Sequence, residues 1–383
     1  MPRDDPPLGA NQERARLTNR RLVLGRVHVS GAAGRAEIAR HTGLSLQAVS
    51  NIVGDLAAEG LIEPRGALTG RRGQPPVQYG LRAGGAFALG IELRPDAVIA
   101  ALLDLSGQIR HARRLPVERT DPPWILNRAA ALRDAALEEA GADPARLLGA
   151  GVVMPGPFGH TGIAGAGSDL PLWRDVDAGA AFEEALAVPV RIANDANAAA
   201  IAERVRGAAR RLSDFAYLYF GAGIGLGLVA GGRLVSGARG NAGEIGHVPV
   251  IAGGRAVRLE DVVSRLAAVR HLAGAGLSAP DIEALEAHHA AGALRGWIAE
   301  AAPALAQAVG IVENLVDPQT IILGGALPAP LLSDLIEAIR LPSASIAATP
   351  GRRLPRLTLG ATGRLTAAIG GASLVLGSHL APD

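Results

Sequence analysis

The 383-residue chain contains no cysteine and no lysine, so all 38 of its Lys-or-Arg positions are arginine. A chain without cysteine forms no disulfide, offers no thiolate to a metal ion and has no thiolate nucleophile. Without lysine it also lacks the amine of Schiff-base enzymes and the lysine of Walker-type phosphate loops. Thiol-dependent and lysine-dependent catalysis are therefore excluded.

Long apolar runs are missing as well. No stretch reaches the ~18 consecutive apolar residues expected of a membrane span, and the beginning of the chain, Met1–Asp5, lacks the pattern of a signal peptide. Hydrophobic residues make up 49% of the chain and charged residues 19%, which is ordinary for a globular protein of two or three domains. We expect a cytoplasmic protein without a membrane partner.

The net charge is small but unevenly distributed. It is only +2 for the whole chain, whereas residues 1–80 are clearly basic. The arginines responsible are Arg14, Arg16, Arg20, Arg21, Arg26, Arg35, Arg40, Arg65, Arg71 and Arg72. Local basicity of this kind is what the binding of nucleic-acid phosphates requires.

Residues 1–15 are expected to form a disordered tail, and the segment after them has the pattern of a helix-turn-helix. A helix is predicted from Asn19 to Val29, Gly43 supplies a turn, and Ser45 stands where it caps the next helix. The expected core positions are Ala36, Ile38, Ala39, Leu44, Val49, Ile52, Val53 and Leu56. The candidates for DNA contact are the cap Ser45 and the outward-facing Gln47, Ala48, Ser50 and Asn51.

A small hairpin is predicted to start at Gly60 and to continue into an extended strip, Gly70–Pro76. Arg71 and Arg72 stand between glycines in this strip, a pattern suited to a narrow minor groove. We expect Gly73–Pro76 to be a short, stiff connection to the next domain. A three-helix bundle with a solvated basic linker would show similar spacing. The order of turn, cap, hairpin and arginine strip favours DNA binding.

From Phe87 onward, strands alternate with helices. Two strands are joined at Arg94–Asp96, a helix is predicted near Ile125–Ala140, and a further strand ends at Met154. The plan repeats in a second half that carries the glycine turn Gly221–Gly227. The pattern predicts two α/β lobes with a cleft between them.

Polar residues at three places in this region have the group types that hold sugar hydroxyls. Asn194 and Asp195 end a short apolar run. Glu244 and His247 stand three residues apart in a glycine-rich loop, and Glu260 follows. Carboxylates and amides that converge in a partly dry cleft suit a polyhydroxyl ligand. Each has a structural alternative as well: a turn at a strand end, a histidine that only supports the fold, and a helix cap.

The order of these motifs resembles that of the ROK family of sugar kinases and sugar-responsive repressors. The resemblance rests on Ala193–Asn197, on Gly221–Gly227 and on the Gly-Glu-Ile-Gly-His loop at residues 243–247. The N-terminal segment is similar to the winged-helix module fused to ROK repressors, including their Gly-Arg-Arg-Gly-x-Pro strip. In ROK kinases the residue matching Asp195 is the base that deprotonates the sugar. The residues matching Asn194, Glu244, His247 and Glu260 bind the sugar there.

The resemblance implies an α/β fold in which an N-terminal winged helix-turn-helix precedes a two-lobed actin-like, ribonuclease H-like ROK domain. We place the winged helix-turn-helix at residues 16–80, the small lobe at 84–196 and the large lobe at 197–361. A C-terminal helix within residues 362–383 is expected to complete the small lobe.

The chain departs from the family pattern at two places. Family members commonly carry a cysteine-rich, zinc-binding stretch after the histidine, whereas residues 248–258 are short and free of cysteine, so we expect no metal and no cofactor. Kinases of this fold carry Asp-x-Gly-Gly-Thr on the first hairpin, where backbone N–H groups approach ATP. The matching stretch is Gly90–Asp96, in which Pro95 has no N–H and Arg94 is bulky. The sequence therefore predicts no catalytic residue.

These patterns favour a sugar-responsive transcriptional regulator, most simply a repressor of carbohydrate-metabolism genes. Its expected partners are operator DNA and a sugar or sugar-phosphate effector, and its expected assembly is a homodimer or a dimer of dimers. Two alternatives stay open: an ATP-dependent ROK sugar kinase with a DNA-binding extension, and a DNA-binding scaffold whose sugar site is vestigial.

Overall fold

The computed structural model of the chain describes residues 8–67, 77–156 and 170–380. A largely helical N-terminal module precedes two α/β lobes. The module consists of α1 (Leu8–Ser30), β1 (Ala33–Gly34), α2 (Arg35–Thr42), α3 (Leu46–Ala58), β2 (Ile62–Ala67) and β3 (Val77–Leu81). Its three short strands form an antiparallel sheet in the order β1-β3-β2.

Local sequence explains how α2 and α3 are joined. Gly43 adopts a left-handed φ of 74°, and its N–H bonds to the carbonyl of Ala39 where α2 ends. The Ser45 hydroxyl accepts a hydrogen bond of 3.2 Å from the Ala48 N–H and caps α3. The predicted turn and cap are confirmed. The prediction of Ala36 as a core residue is wrong, because α2 turns it to solvent.

Two further predictions about the module are wrong. Residues 8–15 of the predicted tail lie in α1. Gly73–Pro76 do not connect the module to the body, because they precede β3, which pairs with β1 and β2 inside the module. The connection is instead Arg82–Ala86, between β3 and the first lobe. Arg71 and Arg72 fall in residues 68–76, outside the described residues.

The two lobes are built on sheets with the same plan. The first lobe contains β4 (Phe87–Leu93), β5 (Ala97–Asp104), β6 (Ile109–Pro116), α4 (Pro122–Glu139), β7 (Leu147–Met154), α5 (Ala178–Leu186) and β8 (Val190–Asn194). After α6 (Asp195–Arg206), the second lobe contains β9 (Phe215–Phe220), β10 (Ile224–Ala230), β11 (Arg233–Leu234), β12 (Pro249–Ala252), β13 (Arg255–Arg258), α7 (Leu259–Val262), α8 (Arg265–Gly274), α9 (Ile282–Ala290), α10 (Arg295–Val316), β14 (Ile321–Gly325), α11 (Ala329–Ala338) and β15 (Leu357–Leu359). The chain is completed by α12 (Thr366–Leu380).

The strand orders are β6-β5-β4-β7-β8 and β11-β10-β9-β14-β15. In each sheet the first three strands pair antiparallel and the last two are added in parallel. The two sheets therefore have the same strand pairing, as the repeated pattern in the sequence suggests. Among the described helices, none combines the length and the apolar character needed to cross a membrane.

Helices α6 and α12 lie between the sheets and touch through their backbones. Helix α12 packs on β4 and β7, and α6 packs on β9 and β10. A Cβ atom on Gly370 would lie 1.8 Å from the carbonyl oxygen of Ala198, and one on Gly90 would lie 1.8 Å from that of Ala368. Because no layer of side chains separates these backbones, a shift of α6 is passed directly to α12.

The module and the first lobe share one hydrophobic core. Leu24 and Val27 of α1 belong to the same buried cluster as Leu103 of β5 and Leu376 of α12. A Cβ atom on Gly25 would lie 2.3 Å from the carbonyl oxygen of Leu380, so α1 also touches the end of α12 through the backbone. The module is therefore packed firmly onto the body.

Candidate binding cleft between the lobes

A cleft of about 260 Å³ opens between the two lobes. The first lobe contributes Pro155 and Gly156 after β7, and the second lobe contributes the glycine turn after β9. All five residues predicted to bind sugar line this cleft, namely Asn194, Asp195, Glu244, His247 and Glu260. The structure therefore brings together residues that are far apart in the sequence.

Asn194 and Asp195 reach the cleft from the start of α6. The Asn194 Oδ1 atom accepts hydrogen bonds from the N–H groups of Ala196, at 2.9 Å, and Asn197, at 3.3 Å. This is the capping role that the structural alternative anticipates. A Cβ on Gly156 would nevertheless lie 2.8 Å from Asn194 Nδ2, so the amide nitrogen faces the cleft wall. Capping and ligand contact are thus compatible for this side chain.

The environment of Asp195 favours the neutral form of its carboxyl group. Burial raises the pKa of Asp195 to about 7, and the nearby carboxylates of Glu92 and Glu244 act in the same direction. The Ala196 N–H, which donates to Asp195 Oδ1 at 2.8 Å, and the Arg94 guanidinium oppose the rise. Near neutral pH this side chain is balanced between hydrogen-bond donor and acceptor.

Glu244, His247 and Glu260 form the opposite wall. His247 Nε2 lies 3.8 Å from Glu244 Oε2, and His247 Nδ1 lies 3.7 Å from Glu260 Oε1. Both distances exceed a hydrogen bond, and His247 Nδ1 is buried without a partner among the described residues. Burial raises the pKa of Glu244; Glu260 adds to this rise and His247 opposes it. These side chains present hydrogen-bonding groups to the cleft, and the hydroxyl groups of a polyhydroxyl ligand can pair with them.

This donor set does not fit the zinc site common in the family. The two carboxylates approach opposite nitrogens of the His247 ring, so the three side chains cannot converge on a single ion. The segment after His247 forms the tight β12–β13 hairpin, turned at Gly253 and Gly254. No cysteine is available to supply a thiolate.

The glycine turn after β9 is explained by its closeness to the polar side chains. A Cβ on Gly221 would lie 3.2 Å from Asp195 Oδ2, and one on Gly223 would lie 2.9 Å from Glu260 Oε2. Glycine at these positions leaves the carboxylate oxygens accessible. This packing supports the interpretation of the turn as a tight connection, without any need for nucleotide binding.

A buried polar network beside Asp195 escaped the sequence analysis. Arg94 is only 8% exposed, and its Nε donates to Glu92 Oε1 at 2.5 Å. Its Nη2 donates to the Tyr219 hydroxyl of the second lobe at 3.2 Å and to the Arg364 carbonyl at 3.2 Å. Tyr219 in turn donates to Glu92 at 2.7 Å. The i,i+2 spacing of Glu92, in β4, and Arg94, directly after its end, places both side chains on the same side of the extended chain and was the available signal.

Cleft residues on the rim were also missed. Arg258 pairs with Glu260 at 2.9 Å and with Asp261 at 2.8 Å. Arg270 donates to the carbonyl of Asp261 at 2.9 Å. Arg258 and Asp261, which flank Leu259-Glu260, were the hint that the sequence offered.

Four of the candidate DNA contacts lie on α3, namely Gln47, Ala48, Ser50 and Asn51, and Ser45 caps this helix. Ser45, Gln47 and Asn51 are exposed, while Ala48 and Ser50 are half-buried. Gln47 Nε2 donates to Asn51 Oδ1 at 3.0 Å, which holds the two amides side by side. Leu46, 56% exposed beside the cap, is an apolar member of this face that the sequence analysis missed.

The comparisons with known proteins agree with this architecture. Residues 88–377 match the ROK family. Uncharacterized protein y4fQ of Sinorhizobium fredii is 32% identical over 332 residues, which are 84% of this chain and 81% of that protein. The xylose repressor of Bacillus spizizenii is 28% identical over 243 residues, which are 63% of this chain and 62% of that protein.

Two solved structures share the fold. A ROK family transcriptional regulator, a homolog of the E. coli MLC protein, has a TM-score of 0.70 at 23% identity and covers 94% of this chain and 96% of its own. ROK hexokinase from Thermus thermophilus has a TM-score of 0.57 at 28% identity and covers 75% of this chain and 97% of its own. The match to the regulator extends into the N-terminal module. Since the family match spans more than half of the chain, the protein belongs to the ROK family.

Proposed function

We propose that the protein is a sugar-responsive, DNA-binding transcriptional regulator that represses carbohydrate-metabolism genes. The observation that carries the proposal is the single core shared by the helix-turn-helix module and the lobe that bears half of the cleft. A ligand that changes the lobes therefore acts on the module through packed contacts. The relative named a xylose repressor supports the same function.

On the DNA side, we assign the module as a winged helix-turn-helix with α3 as its recognition helix. The adjacent amides of Gln47 and Asn51 suit the bidentate recognition of adenine in the major groove. Ser45, Ala48 and Ser50 complete this face, and Arg71 and Arg72 are assigned to the minor groove or the phosphates. One recognition helix reads too short a site for useful specificity, so the active form is a homodimer or a dimer of dimers.

On the effector side, we assign the interlobe cleft to a sugar or sugar phosphate. Asn194 and Asp195 come from one side of the cleft, and Glu244, His247 and Glu260 come from the other. A sugar that contacts both sides binds the closed cleft better than the open one and shifts the population toward closure. The backbone contacts of α6 with α12, and of α12 with α1, carry that shift to the module.

The test is titration of the full chain with duplexes from the region upstream of its own gene, with and without sugars from a panel that includes D-xylose and D-glucose. Raising the salt from about 50 to about 200 mM should weaken binding by about tenfold or more. An inducing sugar should weaken it by about 5–150-fold. Salt-independent binding, or no response to any sugar of the panel, contradicts the proposal.

A kinase is the second candidate, and the pKa of Asp195 near 7 favours it, because a general base works best near the operating pH. Against it, Pro95 removes one N–H, and Arg94 folds inward where kinases of the fold expose glycine N–H groups. We expect no ATP consumption with any sugar of the panel above that of Asp195→Asn. Sugar-dependent turnover in a coupled ATP assay, lost in Asp195→Asn, would establish the kinase.

A further inference from the structure

A second cavity, of about 540 Å³, lies where the N-terminal module meets the body. It shares no lining residue with the interlobe cleft. Leu24 of α1 and Leu61 after α3 line it from the module, while Ala86, Leu105 and Leu148 line it from the body. Its size and its position between two units are those of a ligand site.

About half of the residues that line this junction cavity are apolar, and those on the core side are firmly held. Leu24 is 6% exposed and Leu105 1% exposed, and both belong to the core that joins module and body. A hydrocarbon surface that enters the cavity gains roughly 25 cal/mol for each Å² removed from water. The apolar half of the lining therefore suits the hydrocarbon part of a ligand.

The lining of the cavity contains one more arginine than carboxylates, namely Arg20, Arg21 and Arg146 against Glu59 and Asp143. Arg20 is matched by Glu59 through two hydrogen bonds of 2.8 and 2.5 Å. The Asp143 carboxylate accepts the N–H of Ala145 at 2.9 Å. Arg146 donates to the carbonyl of Gly85 at 2.9 Å, and within the described residues its guanidinium pairs with no carboxylate. A guanidinium beside an apolar chamber matches an anionic head group.

We propose that the junction cavity is a second effector site, which takes a small amphipathic organic anion with an aromatic or branched hydrocarbon body and one carboxylate or sulfonate. Because its walls come from both units, a bound ligand fixes the orientation of the module relative to the body. Its effect on DNA binding rests on the proposed function; binding of the anion does not. The regulator then responds to two chemically different signals.

The binding test uses anilinonaphthalene sulfonate as a fluorescent probe on the full chain. We expect saturable binding that naphthoate displaces and that its neutral isostere naphthamide displaces at least about tenfold more weakly. Arg146→Met keeps the aliphatic stem and removes the charge, so it should lower the affinity for the probe by about tenfold. Ala145→Trp narrows the opening of the cavity from an exposed position and should also lower this affinity. Arg233→Met, on the second lobe, is the matched control and should bind as the wild type does.

Equal displacement by the two naphthalene compounds overturns the proposal, as does unchanged probe affinity in both cavity variants. Because Arg146 also supports the turn at Gly85, circular dichroism accompanies each variant, and Ala145→Trp keeps the test decisive if Arg146→Met unfolds. The coupling between the cavity and the module is measured without DNA. We expect slower hydrogen exchange in residues 13–30 when naphthoate binds, and unchanged exchange would overturn the proposed coupling. Arginine-dependent binding in a protein that binds no DNA would refute the proposed function and leave the site standing.

Discussion

Asp195→Asn is expected to weaken the sugar response strongly while making the protein more stable than the wild type at pH 8. The amide keeps the shape and the hydrogen bond to the Ala196 N–H, but it cannot ionise and accepts fewer hydrogen bonds from sugar hydroxyls. We expect sugar affinity, measured by calorimetry, to fall by about 30-fold or more, and operator binding without sugar to stay unchanged. A sugar response like that of the wild type would mean that the pocket is assigned to the wrong residues.

The stability gain follows from the raised pKa of Asp195. Since the folded-state pKa is about 7 and the ordinary value is 3.8, the folded protein holds a proton through this window that the unfolded chain releases. Wild-type stability therefore falls as the pH rises from about 4 to 7, and the loss is complete above 7. Asparagine removes that loss, so the variant should gain at most about 4 kcal/mol at pH 8 and nothing near pH 4.

Two further variants sharpen this test. Glu244→Ala should lose the sugar response more completely, because it leaves sugar hydroxyls without an acceptor in a partly dry cleft. Asp214→Asn is the matched control, because Asp214 lies outside the cleft and hydrogen bonds from Ser213 and the Gly231 N–H hold its pKa below the ordinary value. It should show no gain at pH 8 and a normal sugar response. If Asp214→Asn gained as much stability at pH 8 as Asp195→Asn, the burial of Asp195 would not be the cause of the gain.

The second large effect is expected from Gly25→Ala, which should disconnect sugar binding from DNA binding. The added Cβ would lie 2.3 Å from the Leu380 carbonyl oxygen, so α1 and α12 must separate. Alanine favours a helix by about 1 kcal/mol over glycine, so α1 itself remains intact. Sugar affinity should stay at the wild-type value, while the effect of sugar on operator affinity should shrink to about twofold or less.

Gly377→Ala provides the control for that variant. Gly377 lies on α12, and a Cβ there would meet nothing within 4 Å. The control should keep the full sugar effect and be as stable as the wild type or slightly more so. If Gly25→Ala retains the wild-type sugar effect, the signal does not travel through the contact between α1 and α12.

Features that depend on a few neighbouring residues were predictable from the sequence. The turn at Gly43 and the cap at Ser45 are local, and the structure contains both. The five cleft residues stand in short motifs whose order identifies the family, so their convergence on one cleft was also expected. That they bind a sugar remains a prediction.

Features set by distant contacts were not predictable. The packing of Arg94 depends on Tyr219, 125 positions away, so the sequence indicates its bulk but not its burial. Gly73–Pro76 have the composition of a linker, and only the pairing of β3 within the module shows that the connection lies elsewhere. Gly370 of α12 looks like a helix-weakening residue until the backbones of α12 and α6 are seen in contact at this position.

The core shared by module and body bears on how an operator is organised. A DNA-binding module that is joined to its body by a flexible linker tolerates half-sites at many separations, because the linker adjusts its length to each separation. Here α1 shares a buried core with β5 and α12. In a dimer, the packing of the two-lobed bodies would therefore set the distance and the rotational phase between the two α3 helices. Half-sites moved apart by half a turn of the double helix, about 5 base pairs, would then face away from the second α3.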